Sequence, residues 1–122
     1  MTIVLNIERI IDPSRERLDP EEINALRDLH PSDVAETLEQ CDCAPSRLVE
    51  ILSQIGNHKA VEAFTQLSME TQEDCLEAGN TRIMLTFLEN MEPDDRVDLL
   101  KAVDDDVRER IMPLIEIGRA HV

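Results

Sequence analysis

The sequence predicts an all-α fold, an array of short antiparallel helices stacked like a solenoid. Helix-start signals recur about 11 to 14 residues apart, so a helix pair repeats about every 25 residues, within the period range of solenoid repeats. After each signal, apolar residues follow at the spacing of one helix face. The 122 residues include only three glycines and two aromatic residues, which suits strand-and-turn architectures poorly. The alternative interpretation is an irregular all-α domain whose helices happen to be short.

The clearest repeat unit spans residues 92–103. Pro93 suits a first helical turn, where its missing N–H is not needed, and Asp94 and Asp95 lie where the helix dipole favours carboxylates. One face of this helix is apolar and carries Leu99, Leu100 and Val103, with Val97 at its edge. The opposite face carries Asp94, Asp98 and Lys101. A helix of this kind cannot bury its apolar face alone, which predicts neighbours of the same type.

Start signals for the other helices follow in chain order. They are Asp19-Pro20, His30-Pro31, Ala44-Pro45, Asn57, Met69-Glu70, Thr81 and Asp104-Asp105. We predict a capping box with Glu36 in the helix after Pro31, a left-handed C-terminal cap at Gly56, and a kink or a terminal turn at Pro113. Among the residues predicted to face the core are Phe64, Cys75, Ala78, Phe87 and Leu114.

The chain is long enough for one domain with a single core. We divide it into an N-terminal segment, residues 1–18, the helical array, residues 19–117, and a C-terminal end, residues 118–122, that is frayed or marks where a longer protein was cut. Residues 2–11 form either a short strand or a helix, and their apolar side chains predict that this segment docks on the array.

The net charge of −15, from 27 acidic and 12 basic residues, limits the classes of partner. Nucleic-acid binding requires clustered Lys and Arg, and the sequence has no such cluster, so neither nucleic acid nor an anionic membrane surface is an expected partner. The sequence contains no run of about 18 apolar residues, so we expect no membrane span in it. A strongly acidic surface attracts cations instead. The alternative is that the charge only keeps the protein soluble.

Cysteine usage predicts a reducing, cytosolic setting. Cys41, Cys43 and Cys75 form an odd set without a second pair at zinc spacing, so a zinc site is not expected. We expect Cys41 and Cys75 to be buried as small hydrophobic residues, since both fall on apolar faces. The N-terminus lacks the basic region of a signal peptide.

No motif in the sequence predicts an enzyme. The histidines lie far apart, and we expect none of them to have a ligand-type partner four residues away on its helix; they are His30, His58 and His121. Neither a nucleophile elbow nor a glycine-rich phosphate loop occurs, and three glycines are too few for a phosphate cradle.

Acidic residues concentrate toward the end of the array. Asp94, Asp95 and Asp98 are followed by a run of three aspartates, residues 104–106. The spacing is not that of a calcium EF-hand, but Mg²⁺ keeps several waters and commonly takes only one or two protein carboxylates. These carboxylates form either a Mg²⁺ site at an interface between two acidic surfaces or a solvated helix face.

Two segments carry a resemblance to a known family. Residues 30–39 read HPSDVAETLE and residues 92–100 read EPDDRVDLL. They resemble the N-terminal cytosolic domain of the MgtE family of magnesium transporters, which repeats an LHPxDxAExLE opening and DPDDxxDLL units. The likeness covers about residues 18–115. It implies an all-α, right-handed superhelix of short helices, followed in the family by paired CBS domains, a connecting helix and a transmembrane pore.

The resemblance also implies a function. In this family, Mg²⁺ ions bridge acidic residues of the N-terminal domain and the CBS domains when cytosolic Mg²⁺ is high, and the acidic surfaces repel each other when it is low. It implies a cytosolic domain of an inner-membrane transporter that forms a homodimer. The metal-binding residues it implies are Asp94, Asp95, Asp98, Asp104, Asp105 and Asp106. The competing interpretation is a protein-interaction scaffold similar to the middle domain of the flagellar motor switch protein FliG.

Overall fold

The computed structural model describes residues 6–120, and their side chains as far as residue 115. Within residues 6–120 the fold consists of nine helices and has no strand, which confirms the predicted all-α class. The helices are α1 (Ile7–Ile11), α2 (Pro20–Asp28), α3 (Pro31–Gln40), α4 (Pro45–Ser53), α5 (Asn57–Gln66), α6 (Met69–Ala78), α7 (Thr81–Asn90), α8 (Pro93–Ala102) and α9 (Asp105–Ala120).

From α3 onward the helices stack in two rows, because each packs mainly against the helix two places further along the chain. One row runs α3, α5, α7, α9, and the other runs α4, α6, α8, with α1 against the first helix of that second row. The rows meet where α4 contacts α5 and α7 and where α6 contacts α7. This is the solenoid-like arrangement that the pairwise repeat predicts.

Local signals fix where the helices begin. Four helices begin with a proline, namely α2, α3, α4 and α8, and the missing N–H of each proline falls where a helix has no use for it. In α6 and α7 the side chains of Ser68 and Asn80 accept hydrogen bonds from the backbone N–H groups of Thr71 and Ile83. The predicted helix starts are therefore close to the observed ones.

The core is built almost entirely from aliphatic side chains. Phe64 and Phe87, the two aromatic residues, are both buried and pack against each other. Ala78 and Leu114, predicted to face the core, are exposed, whereas Met84 and Gln72 are buried against expectation. In α7 the buried face is Met84, Phe87, Leu88 and Met91, the spacing of one helix side.

The predicted capping box at Glu36 is wrong. Pro31 is the first helical residue, so the third position of the first turn is Asp33, and Glu36 lies beyond it. The imidazole of His30 accepts from the N–H of Ser32 at 3.2 Å instead. The carboxylate of Glu36 accepts from the side-chain amide of Gln40.

The two other local predictions, at Gly56 and Pro113, each differ from the structure in one respect. Gly56 adopts the predicted left-handed backbone, with φ of 97°, but it is the N-cap of α5 rather than the C-cap of α4, which is Gln54. Helix α9 continues through Pro113 to Ala120, so a terminal turn at Pro113 is wrong. The N-terminal segment forms helix α1 over Ile7–Ile11, while its residues 2–5, like residues 121–122, lie outside the described residues.

Candidate functional site

The acidic face of α8 is exposed because this helix buries little of its surface. Leu99 is its one fully buried residue, and Val97 is 45% exposed. Asp94 and Asp98 lie on the exposed surface, as predicted from the pattern of the helix, and Asp95 is exposed as well. Two of them, Asp94 and Asp95, belong to the first turn of α8, where the helix dipole attracts negative charge.

The turn between α8 and α9 carries the second predicted group, residues 104–106, and all three aspartates are exposed. The carboxylate of Asp105 accepts a hydrogen bond from Nη1 of Arg108 at 2.7 Å and is thereby partly neutralised. Asp104 and Asp106 form no ion pair within the described residues.

Several arginine side chains donate hydrogen bonds to carbonyl oxygens at the ends of helices. Arg108 illustrates this, because its guanidinium donates to the carbonyl oxygens of Leu100 at 2.7 Å and of Lys101 and Val103 at 3.1 Å. The last carbonyls of a helix lack partners within it, and a nearby cation stabilises that end. Other arginines that donate to carbonyls in the last turn of a helix or just after it are Arg15, Arg27, Arg47, Arg96 and Arg110.

This use of arginine leaves most of the acidic charge uncompensated. The ion pairs within the described residues involve Asp19, Glu22, Glu50, Glu62 and Asp105. In the same part of the chain, Asp94, Asp95 and Asp98 form none. With a net charge of −15, these carboxylates lie in a strongly negative potential that attracts cations and repels another acidic surface.

A first groove, of about 230 Å³, collects carboxylates that are distant in sequence. Its acidic lining residues are Glu70, Glu73, Asp74, Glu77 and Asp104. Of the predicted metal-binding residues, only Asp104 lines it. The four acids of α6 were not predicted as a site, although their spacing of three, four and seven residues places them on one side of a helix.

A second groove, of about 560 Å³, lies between α5 and the junction of α7 with α8. Of the predicted residues, only Asp95 lines it, together with Glu92, Glu62 and His58. The Nε2 atom of His58 lies 2.6 Å from the carboxylate of Glu62, four residues further along α5, so the prediction that no histidine has such a partner is wrong. The two grooves lie at opposite ends of α8. These ends are about 14 Å apart along the helix, at 1.5 Å per residue. The six predicted aspartates are therefore not gathered around one point.

The arrangement suits a bridged ion better than an enclosed one. Among the described residues, no three or more His, Cys, Asp or Glu side chains are placed to hold a metal ion. Mg²⁺ commonly keeps most of its water shell and takes one or two carboxylates from the protein. Exposed aspartates such as Asp94 and Asp98, which form no ion pair within the described residues, could supply such carboxylates.

The cysteines show no sign of a metal or redox centre. Burial raises the pKa of the Cys75 thiol to about 12 and that of Cys43 to about 11, so both are neutral. The prediction that Cys75 is buried is confirmed. For Cys41 it is wrong, because this residue is the C-cap of α3 and is only half-buried.

Comparison with known proteins gives one match. The family model described as the MgtE intracellular N domain matches residues 29–121. No curated protein and no solved structure matches the chain significantly. Across residues 6–120, no helix is both long enough and apolar enough to cross a membrane.

Proposed function

This chain belongs to the MgtE intracellular N domain family, and we propose from that premise that it is a Mg²⁺-responsive regulatory domain of a magnesium transporter. The observation that carries the proposal is the set of exposed aspartates on α8 and at the start of α9 that have no basic partner within the described residues. Of the aspartates in this region, Arg108 pairs with Asp105 alone and otherwise donates to helix-end carbonyls, as Arg110 does.

The regulatory step follows from charge. Two acidic surfaces repel each other, and a divalent ion shared between them removes that repulsion and adds direct bonds. An ion shifts a conformational equilibrium only as far as it binds one state better than the other. An ion bound to an aspartate such as Asp94 gains a second set of ligands, from the facing surface, only in the closed arrangement. That arrangement therefore holds Mg²⁺ more tightly.

We assign the metal contacts to the two predicted groups, first Asp94, Asp95 and Asp98, and second Asp104, Asp105 and Asp106. Within the second group, Asp105 is the weakest candidate because Arg108 already neutralises part of its charge. Asp104 is the strongest, since it shares its groove with the four acids of α6.

The proposed partners are the remaining parts of the parent transporter. The facing acidic surface is a CBS domain, the regulated element is the transmembrane pore, and the transporter is a homodimer whose N-terminal domains lie in the cytosol. The family is one of transporter domains, and we assign no catalytic step to this chain. A protein-interaction scaffold is the competing function, and the experiment below distinguishes the two.

The test compares two triple variants of this chain under Mg²⁺ titration at constant ionic strength. D94N/D95N/D98N removes the acids of α8, and the control E21Q/D28N/D33N removes the same charge from exposed positions on α2 and α3. We expect millimolar Mg²⁺ to shift the amide NMR signals of residues 93–106 in the original chain and the control but not in the α8 variant.

Equal shifts in both triple variants, or the same shifts with sodium alone, would mean that charge screening accounts for the response. That result contradicts the proposed Mg²⁺ contacts on α8 and leaves the scaffold function as the better interpretation. Transport measurements on the parent protein with the same substitutions then report gating, and we expect the α8 variant to stay open at high Mg²⁺.

A further inference from the structure

The N-terminal unit, residues 6–28, lies outside the matched family region, which begins at residue 29. It contains α1 and α2, and α1 packs on α4 at the start of the second row. Solenoids need a terminal unit that covers the first repeat. The apolar contacts of α1 are made by Ile10, which is buried, and by Ile7 and Ile11, which are partly buried against the core, and polar contacts hold its C-terminal end.

The main contact joins Arg47 of α4 to the end of α1. The guanidinium donates from Nε at 3.1 Å and from Nη2 at 2.9 Å to the carbonyl oxygen of Ile10. Arg47 is 1% exposed, and its charge is balanced by the carboxylate of Glu50 at 3.1 Å. Because Ile10 lies in the last turn of α1, Arg47 supplies that turn with a hydrogen-bond donor from a different helix.

A second arginine, Arg15, also donates a hydrogen bond to a carbonyl near the end of α1. Nη1 of Arg15 donates to the carbonyl oxygen of Arg9 at 3.0 Å. The same guanidinium forms a two-point contact with the carboxylate of Glu22, at 3.0 and 2.7 Å. The connector after α1 is attached as well, since the N–H of Leu18 donates to the side-chain oxygen of Gln54 at 2.7 Å.

Helix α1 has five residues and buries one of them, Ile10. A helix this short does not form alone in water, so its structure depends on docking. Docking also takes the Arg47 charge out of water, a cost that offsets much of what its hydrogen bonds gain.

We propose that α1 is a strap over α4 that opens independently of the solenoid, with Arg47 as the residue that locks it. The rest of the array, from α3 to α9, keeps its two-row packing when the strap opens. The strap is distinct from the Mg²⁺ response proposed above, because its contacts lie on α4, in a different part of the array from the aspartates of α8.

The test is amide hydrogen exchange of the full chain, followed by NMR. The N–H of Ile10 bonds to the carbonyl of Asn6 and reports on α1, while the amides of α5 report on the solenoid. In Arg47→Met, we expect exchange at Ile10 to accelerate about 10- to 100-fold, the worth of a hydrogen bond to a charged group, with α5 unchanged. Arg47→Lys keeps the charge but loses the two-point geometry, and we expect an intermediate acceleration.

The matched control is Arg96→Met, which removes the donor to the Leu88 carbonyl at the end of α7 and should leave exchange at Ile10 unaltered. Unchanged exchange at Ile10 in Arg47→Met would overturn the lock. Equal acceleration at Ile10 and in α5 would overturn independent opening. If Arg47→Met does not fold, the original chain still decides the matter, since equal opening free energies at Ile10 and in α5 contradict a separate strap.

Discussion

The rings of Phe64 and Phe87 meet with their centroids 5.7 Å apart and their planes tilted by 55°. Phe64 belongs to α5 and Phe87 to α7, which are consecutive helices of one row. In a core otherwise made of aliphatic side chains, this tilted contact is the single aromatic pair within the described residues. The contact joins α5 and α7, the two central helices of the row.

Removing either ring should destabilise the fold strongly. We expect Phe64→Ala and Phe87→Ala each to lower the free energy of unfolding by about 3 to 5 kcal/mol, because each leaves a cavity among buried neighbours. The double variant should cost less than the sum, by about 0.5 to 1.5 kcal/mol for an aromatic pair. Urea unfolding of the four proteins measures this difference, and strict additivity would mean that the rings do not interact.

Arg108 of α9, which donates to carbonyls at the end of α8, is predicted to contribute more to the stability of the fold than an arginine on the surface. Arg108→Met should lower the free energy of unfolding by about 1 to 3 kcal/mol, because three carbonyls lose a charged donor. Arg82→Met is the control, since the exposed Arg82 side chain makes no hydrogen bond within the described residues. Similar losses in the two variants would contradict the capping role.

The ion pair of Glu22 predicts a dependence on pH. Its hydrogen bonds with Arg15 lower the pKa of Glu22 from 4.5 to about 2, although burial opposes that change. Since the pKa is lowered in the folded state, the stabilisation is present above pH 4.5 and is lost as the pH falls through about 2. Glu22→Gln should therefore destabilise the protein by about 1 to 3 kcal/mol at pH 7 and progressively less below pH 4.5.

Chemical unfolding at several pH values between 7 and 2 measures this convergence. Glu21→Gln is the control, because Glu21 is exposed on the same helix and forms no ion pair within the described residues. A difference between Glu22→Gln and the original chain that stays constant down to pH 2 would rule out a charged Glu22 as the source of the stabilisation.

Gly56 is predicted to tolerate no side chain without a cost. Its φ of 97° lies in a region that residues with a Cβ rarely adopt, so Gly56→Ala should destabilise the protein by about 1 to 3 kcal/mol. The nearest atom to the added Cβ is Nη2 of Arg27 at 3.5 Å, an ordinary contact, so the penalty comes from the backbone and not from crowding. Thermal unfolding measures it, and an unchanged midpoint would show that this turn rearranges freely.

The three thiols should differ in reactivity. At pH 8 in the folded protein, we expect a maleimide to label Cys41 before Cys43, because Cys43 packs against the core and burial raises its pKa to about 11. Cys75 should react last, since it is buried and its pKa is raised to about 12. Mass spectrometry of digested samples gives the order, and rapid labelling of Cys75 would contradict its place in the core.

The sequence determined the elements of this fold because the signals are local. A proline such as Pro31 or Pro93 fixes the first turn of its own helix, and the apolar spacing that follows decides which side is buried. The exposure of Asp94 and Asp98 followed from the same pattern. The error at Glu36 was a shift of the helix start, and Met84 was missed because several apolar residues of α7 compete for the buried side.

The tertiary structure alone decided how the charges are used. Arg47 reaches a carbonyl 37 residues away, and Arg110 reaches the end of α6 from α9. Asp104 joins the acids of α6 in one groove, although about 30 residues separate them in the chain. Such partners meet because helices two places apart stack, and side-chain spacing along one helix contains no information about the contacts between rows. The aspartates of α8 remain unneutralised for the same reason, since the stacking directs the arginines to helix ends.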